Sequence, residues 1–136
     1  LTTVEFENED SYQGTETILV VEDDPTTRIV ITRILREKGY NILEASNGLQ
    51  ALQIFTQYEK PIHLVLTDVV MPGLSGRELY EQILSFNSKA RVLFLSGYTD
   101  DAIVQHGVFE NDIAFLQKPI SPIDLIRKVR SVLNQK

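Results

Sequence analysis

Three carboxylates in a row, Glu22, Asp23 and Asp24, follow directly on the apolar run Ile18–Val21 in the stretch "ILVVEDDPTTR". Like charges this close repel, and burial without a partner is costly. Either the stretch is a solvated helix start, or something positive belongs beside it. Three further polar residues end apolar runs in the same way. Asp68 closes "IHLVLTD", Ser96 closes "RVLFLS", and Lys118 closes "DIAFLQK". Clustered carboxylates favour a hard divalent cation with oxygen ligands, and Mg2+ fits because it takes few carboxylates and keeps waters. A cation and an ammonium beside Asp68 would suit a dianionic phosphoryl group on its carboxylate.

Such a cluster needs a frame that brings distant strand ends together. From Thr17 onward, short apolar runs alternate with helical patterns. Strands are expected at 17–21, within "YNILEA", at 62–68, at 91–97 and within 112–119. The first helix begins with Asp24 as cap and Pro25 at its first position, and it ends at Gly39. Its apolar side is read as Ile29, Val30, Ile34 and Leu35. A second helix follows Asn47 and carries Leu49, Leu52, Ile54 and Phe55. Ser75 with Glu78 forms a capping box for the third. A short helix is expected after Thr99, and a last one after Ser121. This alternation predicts an α/β fold with a doubly wound, five-stranded parallel sheet. Sites in such sheets lie beyond the carboxyl ends of the strands, and the first, third, fourth and fifth strands all end in the polar groups named above. His63 and His106 lie outside any long amphipathic helix and are read as structural.

The 136 residues fit one domain, able to bury roughly two thirds of its unfolded surface. Cysteine is absent, which excludes disulfides and thiolate metal sites. No run is suited to spanning a bilayer. The net charge of −6 is concentrated early: residues 1–16 hold five of the 19 acidic residues and no base. The other 14 acids nearly balance 13 Lys and Arg, so no basic surface for nucleic acid is expected. Residues 1–15 read as an acidic linker or tail and 16–136 as the folded domain.

The segments "VVEDDP", "LTDVVMPGLSG", "FLSG" and "FLQKP", in this order and spacing, resemble the receiver domain of two-component response regulators over about residues 16–135. The resemblance implies the flavodoxin-like strand order 2-1-3-4-5. It implies that Asp68 accepts a phosphoryl group from the phosphohistidine of a histidine kinase or histidine phosphotransfer domain. Glu22, Asp23, Asp68 and the backbone carbonyl of Val70 would hold Mg2+, while Ser96 and Lys118 would contact the phosphoryl oxygens. Lys118–Pro119 would be cis, and Phe115 would be the switch aromatic of a face built from the fourth helix, fifth strand and fifth helix. Asp24 is read as a cap only.

Three positions depart from the commonest family pattern. Glu22 is one methylene longer than the usual Asp and is expected to reach metal through water. Ser96 lacks the methyl of Thr, and Phe115 lacks the hydroxyl of Tyr. A phosphohydrolase with an aspartyl intermediate, as a resembling class, would need a second Asp where Val70 stands. A flavin carrier would need a glycine- and hydroxyl-rich loop where "EDDP" stands. A docking-only receiver would not need the full set of Glu22, Asp23, Asp68, Ser96 and Lys118. The expected function is therefore phosphoacceptor signalling without turnover catalysis. The expected location is cytoplasmic, the expected parent a hybrid sensor histidine kinase that could be membrane-attached, and the alternative a stand-alone single-domain regulator.

Overall fold

The computed structural model describes residues 12–97 and 113–135. Five strands, β1 (Thr17–Val21), β2 (Asn41–Ala45), β3 (Leu64–Asp68), β4 (Val92–Ser96) and β5 (Ala114–Gln117), form one sheet in the order β2-β1-β3-β4-β5. All four pairings are parallel. Three helices, α1 (Pro25–Glu37), α2 (Gly48–Gln57) and α3 (Gly76–Phe86), join the first four strands, and a C-terminal helix spans Pro122–Leu133. The short helix expected after Thr99 lies outside the described residues, as does His106.

Strand periodicity splits the core in two. Ile18 and Val20 point to the face covered by α1 and the C-terminal helix, where they join Ile31, Leu35, Leu125 and Val129. Leu19 and Val21 point to the other face and join Ala51, Phe55, Leu79 and Ile83 of α2 and α3. β1, β3 and β4 are buried along their whole length, as the continuous apolar runs require.

Each helix begins where a short polar side chain satisfies an otherwise open N–H. Asp24 accepts from Thr27 N at 3.0 Å and Asn47 from Gln50 N at 2.7 Å. Ser75 and Glu78 form both halves of the capping box, and Ser121 accepts from Asp124 N. Gly39 ends α1 at φ +99°, a left-handed value that favours glycine. The buried side of α1 differs from the sequence expectation. Ile31, Thr32 and Leu35 face the sheet, while Ile29 and Val30 are each half exposed. At 100° per residue, Ile29 and Val30 lie well off the Ile31–Leu35 stripe. Leu49 likewise faces outward from α2.

The amino ends of the strands are fixed by side chains. His63 accepts from Thr17 N through Nδ1 at 2.9 Å, and its own N–H donates to Thr17 O, so it is a strand-pairing residue. Glu16 pairs with Arg130 of the C-terminal helix at 2.5 Å. The Arg130 hydrogen bond holds the Glu16 carboxyl below its ordinary value of 4.5, against the upward push of burial. The folded chain thus binds this proton more weakly than the unfolded chain. The stabilisation is present above pH 4.5 and is lost as the pH falls through the lowered value. A Glu16→Gln variant is expected to lose about 1 kcal/mol at neutral pH. Urea denaturation of variant and parent should converge in acid; a gap that persists there would contradict the assignment.

Candidate functional site at the carboxyl rim

Parallel pairing places the carboxyl ends of the strands on one rim. Glu22 and Asp23 directly follow β1, Asp68 ends β3 beside it, Ser96 ends β4, and Lys118 follows β5. Lys118 Nζ lies 2.9 Å from Asp68 Oδ2 and 3.2 Å from Glu22 Oε1. Glu22 is 1% exposed and Asp68 6%, so both carboxylates are buried, whereas Asp23 faces solvent. The second Glu22 oxygen accepts from Asp24 N at 3.1 Å. Glu22 therefore bonds directly to the ammonium and to backbone.

Burial first, and then the neighbouring Asp68 charge, raise the Glu22 carboxyl from 4.5 to about 7. The Asp24 N–H and Lys118 pull in the opposite direction. For Lys118, burial works against the charge, but the Asp68 hydrogen bond and the two carboxylates outweigh it, so its value lies above the ordinary one. The site thus holds more negative charge than a single ammonium neutralises. One carboxylate oxygen from each of Glu22, Asp23 and Asp68 lies within 4.8 Å of the others. Three hard oxygen donors, one open to solvent, suit a hard divalent cation that keeps part of its water shell.

The other expected residues have definite places. Ser96 is buried, and its carbonyl accepts from Lys118 N at 2.7 Å, which fixes the start of the lysine segment against β4. The Lys118–Pro119 peptide is cis, as expected. Val70 is 52% exposed, two residues past Asp68. Phe115 is partly buried on β5, with its ring 5.5 Å from that of Phe94; Phe94 in turn meets Tyr80 edge-on.

Two contributors were missed in the sequence. Arg28, one turn into α1, donates to the Glu22 carbonyl at 2.5 Å and reaches Glu44 at 3.4 Å. Its place in the sequence carries no signal of that contact. Gly76 opens α3 so close to β3 that a Cβ there would collide with the carbonyl oxygen of Asp68 and with Val69. Its N–H donates to Val69 O at 2.9 Å. In sequence it reads as one more loop glycine.

An α/β domain with this strand order and an acid–lysine cluster at its carboxyl rim defines the class. The family model described as response regulator receiver domain matches residues 18–130, and the chain belongs to that family. It is 32% identical over 122 residues to the sensor kinase CckA of Brucella abortus, covering 90% of this chain and 13% of that protein. It is 34% identical to the sporulation initiation phosphotransferase F of Bacillus subtilis, covering 82% of this chain and 88% of that protein. Among solved structures it is similar to a receiver domain from Clostridium thermocellum, with TM-score 0.80 and 30% identity, covering 88% of this chain and 94% of that one. The receiver domain of the hybrid histidine kinase CckA superposes with TM-score 0.72 and 35% identity, covering 87% of this chain and 99% of that one. Several curated relatives are much longer than the match: the chain spans 13% of CckA, 15% of a response regulator-like protein of Arabidopsis thaliana and 29% of a cyclic di-GMP phosphodiesterase of Thermotoga maritima.

Removing the ammonium would leave two buried carboxylates facing each other. A Lys118→Met variant is expected to lose roughly 3 kcal/mol in the absence of divalent cations. Added Mg2+ should restore part of the loss by supplying positive charge. Urea midpoints with and without Mg2+ check this; an unchanged midpoint would show that the pair carries no such strain.

Proposed function

We propose that this chain is the phosphoacceptor module of a two-component phosphorelay, with Asp68 as the acceptor. The observation that supports it most is the Lys118 ammonium held 2.9 Å from a buried Asp68 within the acidic cluster. In this reading an Asp68 oxygen attacks the phosphorus of a phosphohistidine on a histidine kinase or histidine phosphotransfer domain. The P–N bond breaks, its electron pair stays on the imidazole, and an acyl phosphate forms on Asp68. Lys118 and the Ser96 hydroxyl hold the phosphoryl oxygens. Glu22, Asp23, Asp68 and the Val70 carbonyl would hold Mg2+, which would supply positive charge toward the transferring group.

Phosphorylation then biases a two-state equilibrium. Lys118 is shared between Glu22 and Asp68 beforehand, so a phosphoryl group on Asp68 offers it a new partner. Ser96 moves toward the phosphoryl group, and Phe115 follows by turning inward against its Phe94 contact. The surface next to β5 and the C-terminal helix reads out the change. The chain itself is not a turnover enzyme.

The parent is proposed to be a hybrid sensor histidine kinase, supported by similarity to CckA. The alternative, a stand-alone regulator, is supported by similarity to the short CpdR of Brucella abortus, of which the match covers 95%. The proposed location is the cytoplasm. Among the described residues no helix is long and apolar enough to cross a membrane. No contact of this module with nucleic acid is proposed.

Incubation with Mg2+ and acetyl phosphate, followed by intact-mass measurement, tests the acceptor. One phosphoryl mass should be gained by the native chain and not by Asp68→Asn; no gain by the native chain would overturn the reading. The exposed, apolar Val70 offers no group to orient an attacking water, so the acyl phosphate should persist. A Val70→Asn variant is expected to shorten its lifetime about tenfold. Unchanged decay in that variant would remove Val70 from the control of lifetime.

A further inference from the structure

The amino end of the sheet, opposite the acidic rim, carries an interlock that the phosphoacceptor role does not use. Residues 12–16 cross the turn between α1 and β2. Gly14 N donates to Lys38 O, and Asn41 N to Glu16 O, both at 3.0 Å. Arg130 closes over this segment from the C-terminal helix. Its Nη1 donates to Gln13 O at 3.2 Å, to Glu16 Oε1 at 3.1 Å and to Tyr40 Oη at 3.2 Å. Its Nη2 meets Glu16 Oε2 at 2.5 Å. The Tyr40 hydroxyl donates to Tyr12 O at 3.3 Å, and the Tyr40 ring lies 6.0 Å from the guanidinium. Gly14 sits so tightly that a Cβ there would strike Tyr40, Arg130 and Glu16 at once. A Cβ on Gly39 would in turn meet Gly14 O.

The same helix is tied to the rim at its other end. Its cap, Ser121, follows Lys118 by three residues, and Lys118 holds Asp68 and Glu22. Leu125, Ile126 and Val129 are buried between the two ends, so close packing runs along the helix from the rim to the latch. We propose that the Arg130 latch couples the chain leading into the domain to the phosphorylation site: a shift of Lys118 tilts the C-terminal helix, loosens its grip on residues 12–16, and so frees the polypeptide upstream. The proposal rests on Asp68 being the phosphoacceptor. Coupling is reciprocal at equilibrium, so releasing the strap must also favour the phosphorylated state.

The test follows the full chain in Mg2+, with and without acetyl phosphate, by intact mass and by hydrogen exchange in the same samples. Phosphorylation is expected to speed exchange at the Gly14 and Asn41 amides about fivefold or more. Two latch variants, Glu16→Gln and Arg130→Gln, should show fast exchange at these amides without phosphorylation, and a ratio of phosphorylated to unphosphorylated chain, at a fixed ratio of acetyl phosphate to acetate, raised at least about threefold. Glu81→Gln, which breaks the exposed Arg77–Glu81 pair on α3, serves as the surface control. Should one latch variant fail to fold, the other decides. No phosphoryl gain by the native chain would sink the phosphoacceptor reading and the coupling with it. A normal gain with unmoved strap amides, or variants with a freed strap and an unchanged ratio of phosphorylated to unphosphorylated chain, would overturn the coupling only.

Discussion

One ammonium between two buried carboxylates organises this molecule. Lys118 reaches Asp68 and Glu22 together and offsets part of the cost of burying the two acids. The arrangement is deliberately incomplete. The Lys118 ammonium faces Glu22, Asp68 and the nearby Asp23, and burial first, then the Asp68 charge, raises the Glu22 carboxyl to about 7. A site in that condition is receptive to a further cation.

The sheet makes the cluster possible. The four groups come from residues separated by almost a hundred positions, yet parallel pairing brings their strand ends to one rim. Burial of β1, β3 and β4 on both faces holds those ends in register, since a slip of one residue would exchange the two cores. The strength of the scaffold lies in apolar packing far from the charges. The charges themselves work against stability until they are paired.

The polar ends of the apolar runs were legible because a parallel sheet leaves few ways to arrange them. Helix starts were equally readable, since Asp24, Asn47, Ser75 and Ser121 each act through a hydrogen bond only a few residues long. The exposed side of α1 was not. Ile29 and Val30 are as apolar as Ile31, and only the direction from which the sheet approaches separates them. Arg28 and the Arg130–Glu16–Tyr40 group escaped for a related reason. Each joins residues whose proximity is created by the tertiary fold, and an arginine in a helix carries no mark of the carbonyl it will meet. The roles proposed for Val70, Ser96 and Phe115 rest on family likeness, because nothing in a valine, a serine or a phenylalanine announces them.

Gly76 gives the loop after β3 an importance that its chemistry hides. Its α-carbon rests on the backbone that presents Asp68, so even a methyl group there would press on the carbonyl of Asp68 itself. Damage at this position would resemble the loss of a reactive side chain, although every reactive side chain would still be present. A catalogue of the site built from functional groups would leave out the one residue whose contribution is empty space.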